Sequence, residues 1–144
     1  MTDPVEIALF KRLASALLVM IEGSRLKAYR ARGDVWTVGI GHTKGVTEGM
    51  LITPAQEVAF LEEDQAPLYS LVLDKPILEA VADLDFGFNC GKGALEKILD
   101  GKDTISNPAH THSGVGVLDG LIARRNLELA LIAVSEYSVS RSTA

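Results

Sequence analysis

The sequence predicts an α+β fold, a mostly helical domain with a small β-hairpin or sheet near the N-terminus. Apolar residues recur at helical spacing from Val5 to Ile21, and capping, proline and glycine signals mark further helices along the 144-residue chain. The segment 25–43 instead combines turn glycines with β-branched and aromatic residues, which favours strands. The length suits one domain, so we expect a single domain over 1–144, with a sheet lobe at about 24–45.

The composition excludes several classes of protein. Hydrophobic residues make up 47% and charged residues 23% of the chain, as in globular proteins rather than disordered tails. The single cysteine, Cys90, excludes a disulfide-stapled miniprotein and a cysteine-rich zinc module. A net charge of −5 argues against nucleic acid as a partner. No phosphate-binding glycine motif is present, so we expect no cofactor.

The first predicted helix runs from Val5 to Ile21 and ends at Gly23. Its apolar run, Leu13–Ile21, is too short to span a bilayer. Acidic residues precede that run and no small-residue cleavage site follows it, unlike in a signal peptide. We therefore expect a buried amphipathic helix, with a membrane anchor as the minority alternative, and no stable membrane insertion.

The remaining elements follow from local signals. A hairpin turn is expected at 32–34, and Thr53 to Gln56 forms a capping box with proline at the first helical position. That helix should run to about Leu71, with a break or kink near Ala66 because Pro67 follows. Further helices are predicted over 76–91, 94–99 and 118–134, with a loop over 104–116.

Glu22 is the first candidate catalytic residue. It ends an apolar helix, where apolar neighbours and the negative end of the helix dipole favour the protonated carboxyl group. A carboxyl group that stays protonated near neutral pH can act as a general acid. The alternative is an ordinary solvated glutamate at a helix end.

The residues around Glu22 resemble the phage-type lysozymes, which are muramidases. Glu22-Gly23 precedes Leu26 and Tyr29 in the pattern EG-x-x-L-x-x-Y, and 37–42 reads TVGIGH, like the family's T-[IV]-G-x-G-H. Three later stretches, 46–56, 86–94 and 120–128, are similar to further motifs of the family in the same order. The resemblance covers about residues 20–131.

This resemblance implies a lysozyme-like fold with a cleft between the sheet lobe and the helical lobe. It implies hydrolysis of the β-1,4 bond between N-acetylmuramic acid and N-acetylglucosamine in peptidoglycan, with Glu22 as general acid and Thr37 positioning water. The implied role is that of a phage endolysin that lyses the bacterial host. Such a protein stays in the host cytoplasm until a holin gives access to the periplasm and wall. We expect a monomer.

The resemblance breaks at one informative position. The family has an aspartate nine residues after its glutamate, and here that position is Ala31. Three hypotheses remain open: Asp34 replaces the missing carboxylate, Glu22 works alone with Thr37 or the substrate's N-acetyl group, or the chain binds cell wall without efficient cleavage. Aspartate is also a good turn residue, which gives Asp34 a structural alternative.

Tyr29, His42 and Asn89 are candidate substrate-binding residues by resemblance. His42 is alternatively a hydrogen-bonded core histidine, and Asn89 an amide that caps a helix end. We expect Arg124 and Arg125 to anchor the last helix to acidic partners. Cys90 is expected in the core rather than as a nucleophile. No metal site is expected, including at the loop histidines 110 and 112.

Overall fold

The computed structural model describes residues 1–31, 33–113 and 116–142. Its elements, in chain order, are α1 (Pro4–Glu22), β1 (Arg25–Arg30), β2 (Trp36–Gly39), α2 (Pro54–Val72), α3 (Ile77–Cys90), α4 (Lys92–Leu99), a short 3-10 helix (Pro108–Thr111), β3 (His112–Ser113), β4 (Gly116–Val117) and α5 (Asp119–Ser142). The predicted class is confirmed, since helices dominate and an antiparallel β1–β2 hairpin follows the first helix. No helix among the described residues is both long and apolar enough to cross a membrane.

The chain divides into two compact units. Ser15–Pro67 forms the first, here named the sheet unit, and Met1–Ala14 together with Leu68–Ala144 forms the second, here named the helical unit. In the sheet unit, Ala28, Val38 and Ile52 form a buried apolar cluster that Trp36 and Phe60 partly cover. In the helical unit, α3 packs along α5.

The capping box at the start of α2 forms as predicted. The Gln56 N–H donates to Thr53 Oγ1 at 3.2 Å, and the Thr53 N–H donates to Gln56 Oε1 at 2.8 Å. The predicted end of α2 near Leu71 is confirmed to within one residue, since the helix runs to Val72 and is not broken at Pro67. Proline removes one helical hydrogen bond, and burial of the apolar side chains of Leu68, Tyr69 and Val72 in the turn that follows stabilises the helix.

The β1–β2 hairpin pairs Tyr29 with Thr37 and Arg30 with Trp36, with a register irregularity between Arg25 and Tyr29. Of the predicted turn at 32–34, residue 32 lies outside the described residues. The rest of the turn is closed by Ala31, whose N–H donates to Val35 O at 2.9 Å. Asp34 has a φ of 65°, the left-handed conformation that aspartate tolerates better than most residues.

Two expectations for the C-terminal third need correction. The segment predicted as a loop, 104–116, contains the 3-10 helix and part of the β3–β4 pair, although 114–115 lie outside the described residues. The Asn107 side chain caps the 3-10 helix by accepting the Ala109 N–H at 3.0 Å. The last helix reaches Ser142 rather than ending near Val134. Within this added length, the hydroxyls of Ser138 and Ser140 donate to carbonyls of the preceding turn, which satisfies both hydroxyl groups inside the helix.

Candidate active site

Glu22 is the last residue of α1 and is partly buried. The helix ends there because Gly23 adopts a φ of 74° while its N–H still donates to Val19 O at 3.0 Å. The next residue is also fixed, since the Ser24 hydroxyl donates to Glu57 Oε1 at 2.6 Å. The backbone that carries the Glu22 carboxyl group is therefore held on both sides.

Thr37 and Tyr29 are direct partners across the hairpin, so their side chains lie on the same face of the sheet. Thr37 is 3% exposed, and its hydroxyl donates to Val35 O at 3.2 Å. Its oxygen keeps lone pairs that can accept a hydrogen bond from a water molecule. Tyr29 is partly buried beneath the Arg25 guanidinium, which lies 4.3 Å from the ring centre.

Asp34 lies at the tip of the hairpin, where its side chain is 73% exposed. Its carboxylate forms an ion pair with Arg30, whose guanidinium also lies 5.1 Å from the centre of the Trp36 ring. Ala31 occupies the base of the same turn, and its carbonyl accepts the Asp34 N–H at 3.2 Å. The turn conformation and the ion pair together account for an aspartate at position 34.

His42 is 3% exposed, and both of its ring nitrogens face oxygen acceptors. Nδ1 lies 2.8 Å from Asp64 Oδ2 and Nε2 lies 2.9 Å from Lys44 O, while Phe60 stacks on the ring at 4.2 Å. Gly39 and Gly41 have positive φ values, which lets Val38 pair with His42 in a tight reversal. The imidazole thus ties the end of the hairpin to α2.

Asn89 is an exposed residue near the end of α3, in the helical unit. Its Oδ1 accepts a hydrogen bond from Arg125 Nη2 at 3.1 Å. Arg125 also donates to Glu128 Oε1 at 2.6 Å and to Cys90 Sγ at 2.8 Å. Asn89 is therefore not the helix-capping amide of the alternative interpretation, since its side chain bonds a guanidinium.

A buried charged cluster holds α5 to α3. It consists of Asp85, Arg124, Arg125 and Glu128, each at most 6% exposed. Arg124 donates to both Asp85 carboxylate oxygens at 2.9 Å, a bidentate pair. The predicted anchoring of the last helix to an acidic partner is confirmed for Arg124. Arg125 pairs with Glu128 of its own helix and contacts α3 through Asn89 and Cys90 instead. Asp85 was not predicted as a partner of these arginines, although an acidic residue within an apolar helical run could have indicated a buried ion pair.

Burial sets the protonation states in this region. Loss of hydration raises the pKa of Glu128 to about 9, and the adjacent Asp85 carboxyl group adds to the rise while Arg125 opposes it. Burial thus favours the neutral form of Glu128, whose Oε1 accepts a hydrogen bond from Arg125. Burial likewise raises the pKa of the Cys90 thiol, which disfavours the nucleophilic thiolate.

No group of three or more His, Cys, Asp or Glu side chains that could hold a metal ion occurs in the part of the chain that the structure describes. His110, which lies in the 3-10 helix, instead bonds Asp103 Oδ2 at 3.0 Å and packs edge-on against Phe86.

The family model described as phage lysozyme matches residues 19–128, which include Glu22, the hairpin, α2, α3 and the buried arginines. The chain belongs to the phage lysozyme family. The expected family is thereby confirmed, and its match includes all six candidate site residues.

Curated relatives of this phage lysozyme family member are endolysins. An endolysin of Acyrthosiphon pisum secondary endosymbiont phage 1 is 46% identical over 56 residues, covering 39% of this chain and 38% of that protein. An endolysin of Lactococcus phage c2 is 32% identical over 130 residues, covering 80% of this chain and 56% of that protein. The chain thus spans between about two fifths and a little over half of these relatives.

The solved muramidase domain of SpmX from Asticaccaulis excentricus is similar in structure. Its TM-score is 0.65 at 26% sequence identity, and the match covers 83% of this chain and 94% of that domain. The predicted lysozyme-like fold is confirmed.

Proposed function

We propose that this phage lysozyme family member is an endolysin that hydrolyses the β-1,4 bond between N-acetylmuramic acid and N-acetylglucosamine in peptidoglycan. The observation that carries the proposal is the family match over residues 19–128, with Glu22 at the end of α1 and Thr37 buried on β2. These are the acid and the water-positioning threonine that the motif implies.

The proposed chemistry begins with Glu22, which protonates the oxygen of the leaving sugar as the glycosidic bond breaks. The sugar ring develops positive charge, and a water molecule attacks its anomeric carbon. The proton that this water loses passes to bulk solvent, from which the Glu22 carboxylate is protonated again. Thr37 accepts a hydrogen bond from that water, because its own proton is engaged with Val35 O. The buried hydroxyl has a fixed position, which lowers the entropic cost of orienting the water.

We propose that Glu22 is the single essential carboxylic acid. The alternative partner, Asp34, is 73% exposed and paired with Arg30, and the left-handed turn accounts for its presence. Ala31, at the family's aspartate position, carries no group that could accept a proton. Ala31→Asp should therefore raise the cleavage rate, because it adds a carboxylate at the position that the family uses.

Tyr29 and Asn89 are proposed to contact the glycan, Tyr29 with its ring and Asn89 with its amide. His42 is proposed to support binding by holding the end of the hairpin through Asp64 and Lys44. We further propose that the protein acts as a monomer, is stored in the host cytoplasm and reaches the wall after a holin opens the membrane. The endolysin names of its curated relatives support a role in lysis of a bacterial host.

The test is product analysis after digestion of purified peptidoglycan. Wild-type protein should release muropeptides with N-acetylmuramic acid at the reducing end, and Glu22→Gln should release none while keeping its circular dichroism spectrum. Glu48→Gln is the matched control, since it makes the same change at an exposed position of the sheet unit. Products ending in N-acetylglucosamine, or full activity of Glu22→Gln, would contradict the proposal.

A further inference from the structure

The Asn89 side chain is bonded at one end only. Its Oδ1 accepts from Arg125 Nη2 at 3.1 Å, and the Cys90 thiol lies 3.6 Å from the same oxygen. Within the described part of the chain, its Nδ2 donates to no protein group, and the residue is exposed. An amide nitrogen with two N–H groups therefore faces outward at the end of α3.

The orientation of this amide follows from the chemistry of its partner. A guanidinium group has only donors, so the oxygen of the amide must face Arg125 and the nitrogen must face away. The reverse orientation would place N–H groups against N–H groups. Arg125 thus decides which end of the amide is presented.

Arg125 is itself fixed. It is 3% exposed, its guanidinium carbon lies 4.8 Å from the centre of the Phe86 ring, and Glu128 Oε1 accepts from it at 2.6 Å. A side chain held by stacking and by hydrogen bonds loses little further freedom when a ligand binds its neighbour. The donor end of Asn89 is therefore preorganised before substrate arrives.

We propose that Arg125 is a positioning residue that presents the Asn89 Nδ2 donor to an oxygen acceptor of the glycan, the carbonyl of an N-acetyl group. The assignment rests on the proposed function for its substrate class. With its N–H groups facing outward, Asn89 should bind a carbonyl group of the ligand in preference to an N–H group. Arg125 acts through Asn89 and does not touch the glycan.

Asn89→Asp separates this role from a structural one. The substitution keeps an oxygen for Arg125, in a stronger charge-assisted bond, and replaces the outward N–H groups with an oxygen. KM for soluble glycan strands should rise at least tenfold, with kcat within threefold of wild type and the melting temperature not lowered. Asn126→Asp, an exposed asparagine of α5, controls for the added charge. An unchanged KM in Asn89→Asp would overturn the proposal.

Arg125→Lys tests the positioning step. Lysine lacks the planar fork that reaches Glu128 and Asn89 together, so KM should rise in the same direction and the order parameter of the Asn89 side-chain amide should fall. In the double variant with Asn89→Asp, the two effects on KM should not add, because both remove one interaction. Full additivity, or an unchanged order parameter, would contradict the positioning role.

A binding measurement keeps this inference distinct from the proposed reaction. In an NMR titration, tri-N-acetylchitotriose should shift the Asn89 Nδ2 resonances of the wild type and should bind Asn89→Asp at least tenfold more weakly. That result in a protein without cleavage activity would support the donor role and contradict the muramidase proposal. If wild type cleaves peptidoglycan but wild type and Asn89→Asp bind the oligosaccharide equally well, the muramidase proposal is supported and the donor role of Asn89 is contradicted.

Discussion

Replacing Glu128 by glutamine should change how the stability of the protein depends on pH. Glu128 is fully buried, and its pKa is raised from the ordinary value near 4.5 to about 9 in the folded protein. Between these values, the folded protein holds a proton that the unfolded chain has released. The stability contributed by that proton is complete below pH 4.5 and is lost as the pH rises towards 9.

The magnitude follows from linkage. One proton difference gives a slope approaching about 1.4 kcal/mol per pH unit in the free energy of unfolding. Coupling to Asp85, which lies against Glu128 and is paired with Arg124, spreads the titration, so we expect about 1 kcal/mol per pH unit. Glutamine has the same shape and does not titrate, and its oxygen can still accept from Arg125.

The assay is urea denaturation of wild type and Glu128→Gln at pH 5.5, 6.5, 7.5 and 8.5. Contributions of the other titrating groups largely cancel in the difference between the two proteins. The wild type should lose stability relative to the variant by about 3 kcal/mol over this range. Parallel curves would refute the raised pKa. A wild type that gains stability relative to the variant would show that Glu128 is an ionised partner of Arg125.

Three further predictions follow from packing and surface charge. A methyl group at Gly87 would lie 2.8 Å from a leucine side chain of α4, so Gly87→Ala should lower the free energy of unfolding by about 1–3 kcal/mol. Gly93→Ala, where nothing lies within 4 Å, should raise it by about 0.5–1 kcal/mol; equal effects in thermal melts would contradict this reasoning. Asp64→Asn should cost about 1–3 kcal/mol and broaden the His42 ring resonances, because it weakens the bond to Nδ1. Asp34→Asn removes an exposed ion pair at a turn whose conformation asparagine also adopts. The free energy of unfolding, measured by denaturant titration, should therefore change by less than about 1 kcal/mol.

Local signals in the sequence explain why most of the fold was predictable. The capping box at Thr53 and the glycine after Glu22 act within one helical turn, so the residues that form them are adjacent in the sequence. The strand pattern at 36–39 is equally local. The helix that contains Pro67 was also predicted to run to about Leu71, whereas the burial of Leu68, Tyr69 and Val72 after the proline depends on tertiary packing and could not be predicted locally.

The candidate site likewise contains some residues that local sequence patterns predict and some contacts that they do not. Glu22 and Thr37 could be proposed from spacing, because the motif that contains them is short and continuous. The Arg124–Asp85 pair joins residues 39 positions apart, and the Arg125–Asn89 bond joins residues 36 apart. No local pattern indicates which acid or amide an arginine will meet, so the orientation of the Asn89 amide required the structure.

In the proposed mechanism, Glu22 drives cleavage of the bacterial wall without a second carboxylic acid. Loss of turbidity of purified peptidoglycan, followed for wild type, Glu22→Gln and Asp34→Asn at matched concentrations, tests it directly. Wild type and Asp34→Asn should both clear the suspension, and Glu22→Gln should not. Clearing that disappears in both variants would contradict the single-acid mechanism. A folded wild type that pellets with the wall but never clears it would contradict the enzymatic function itself.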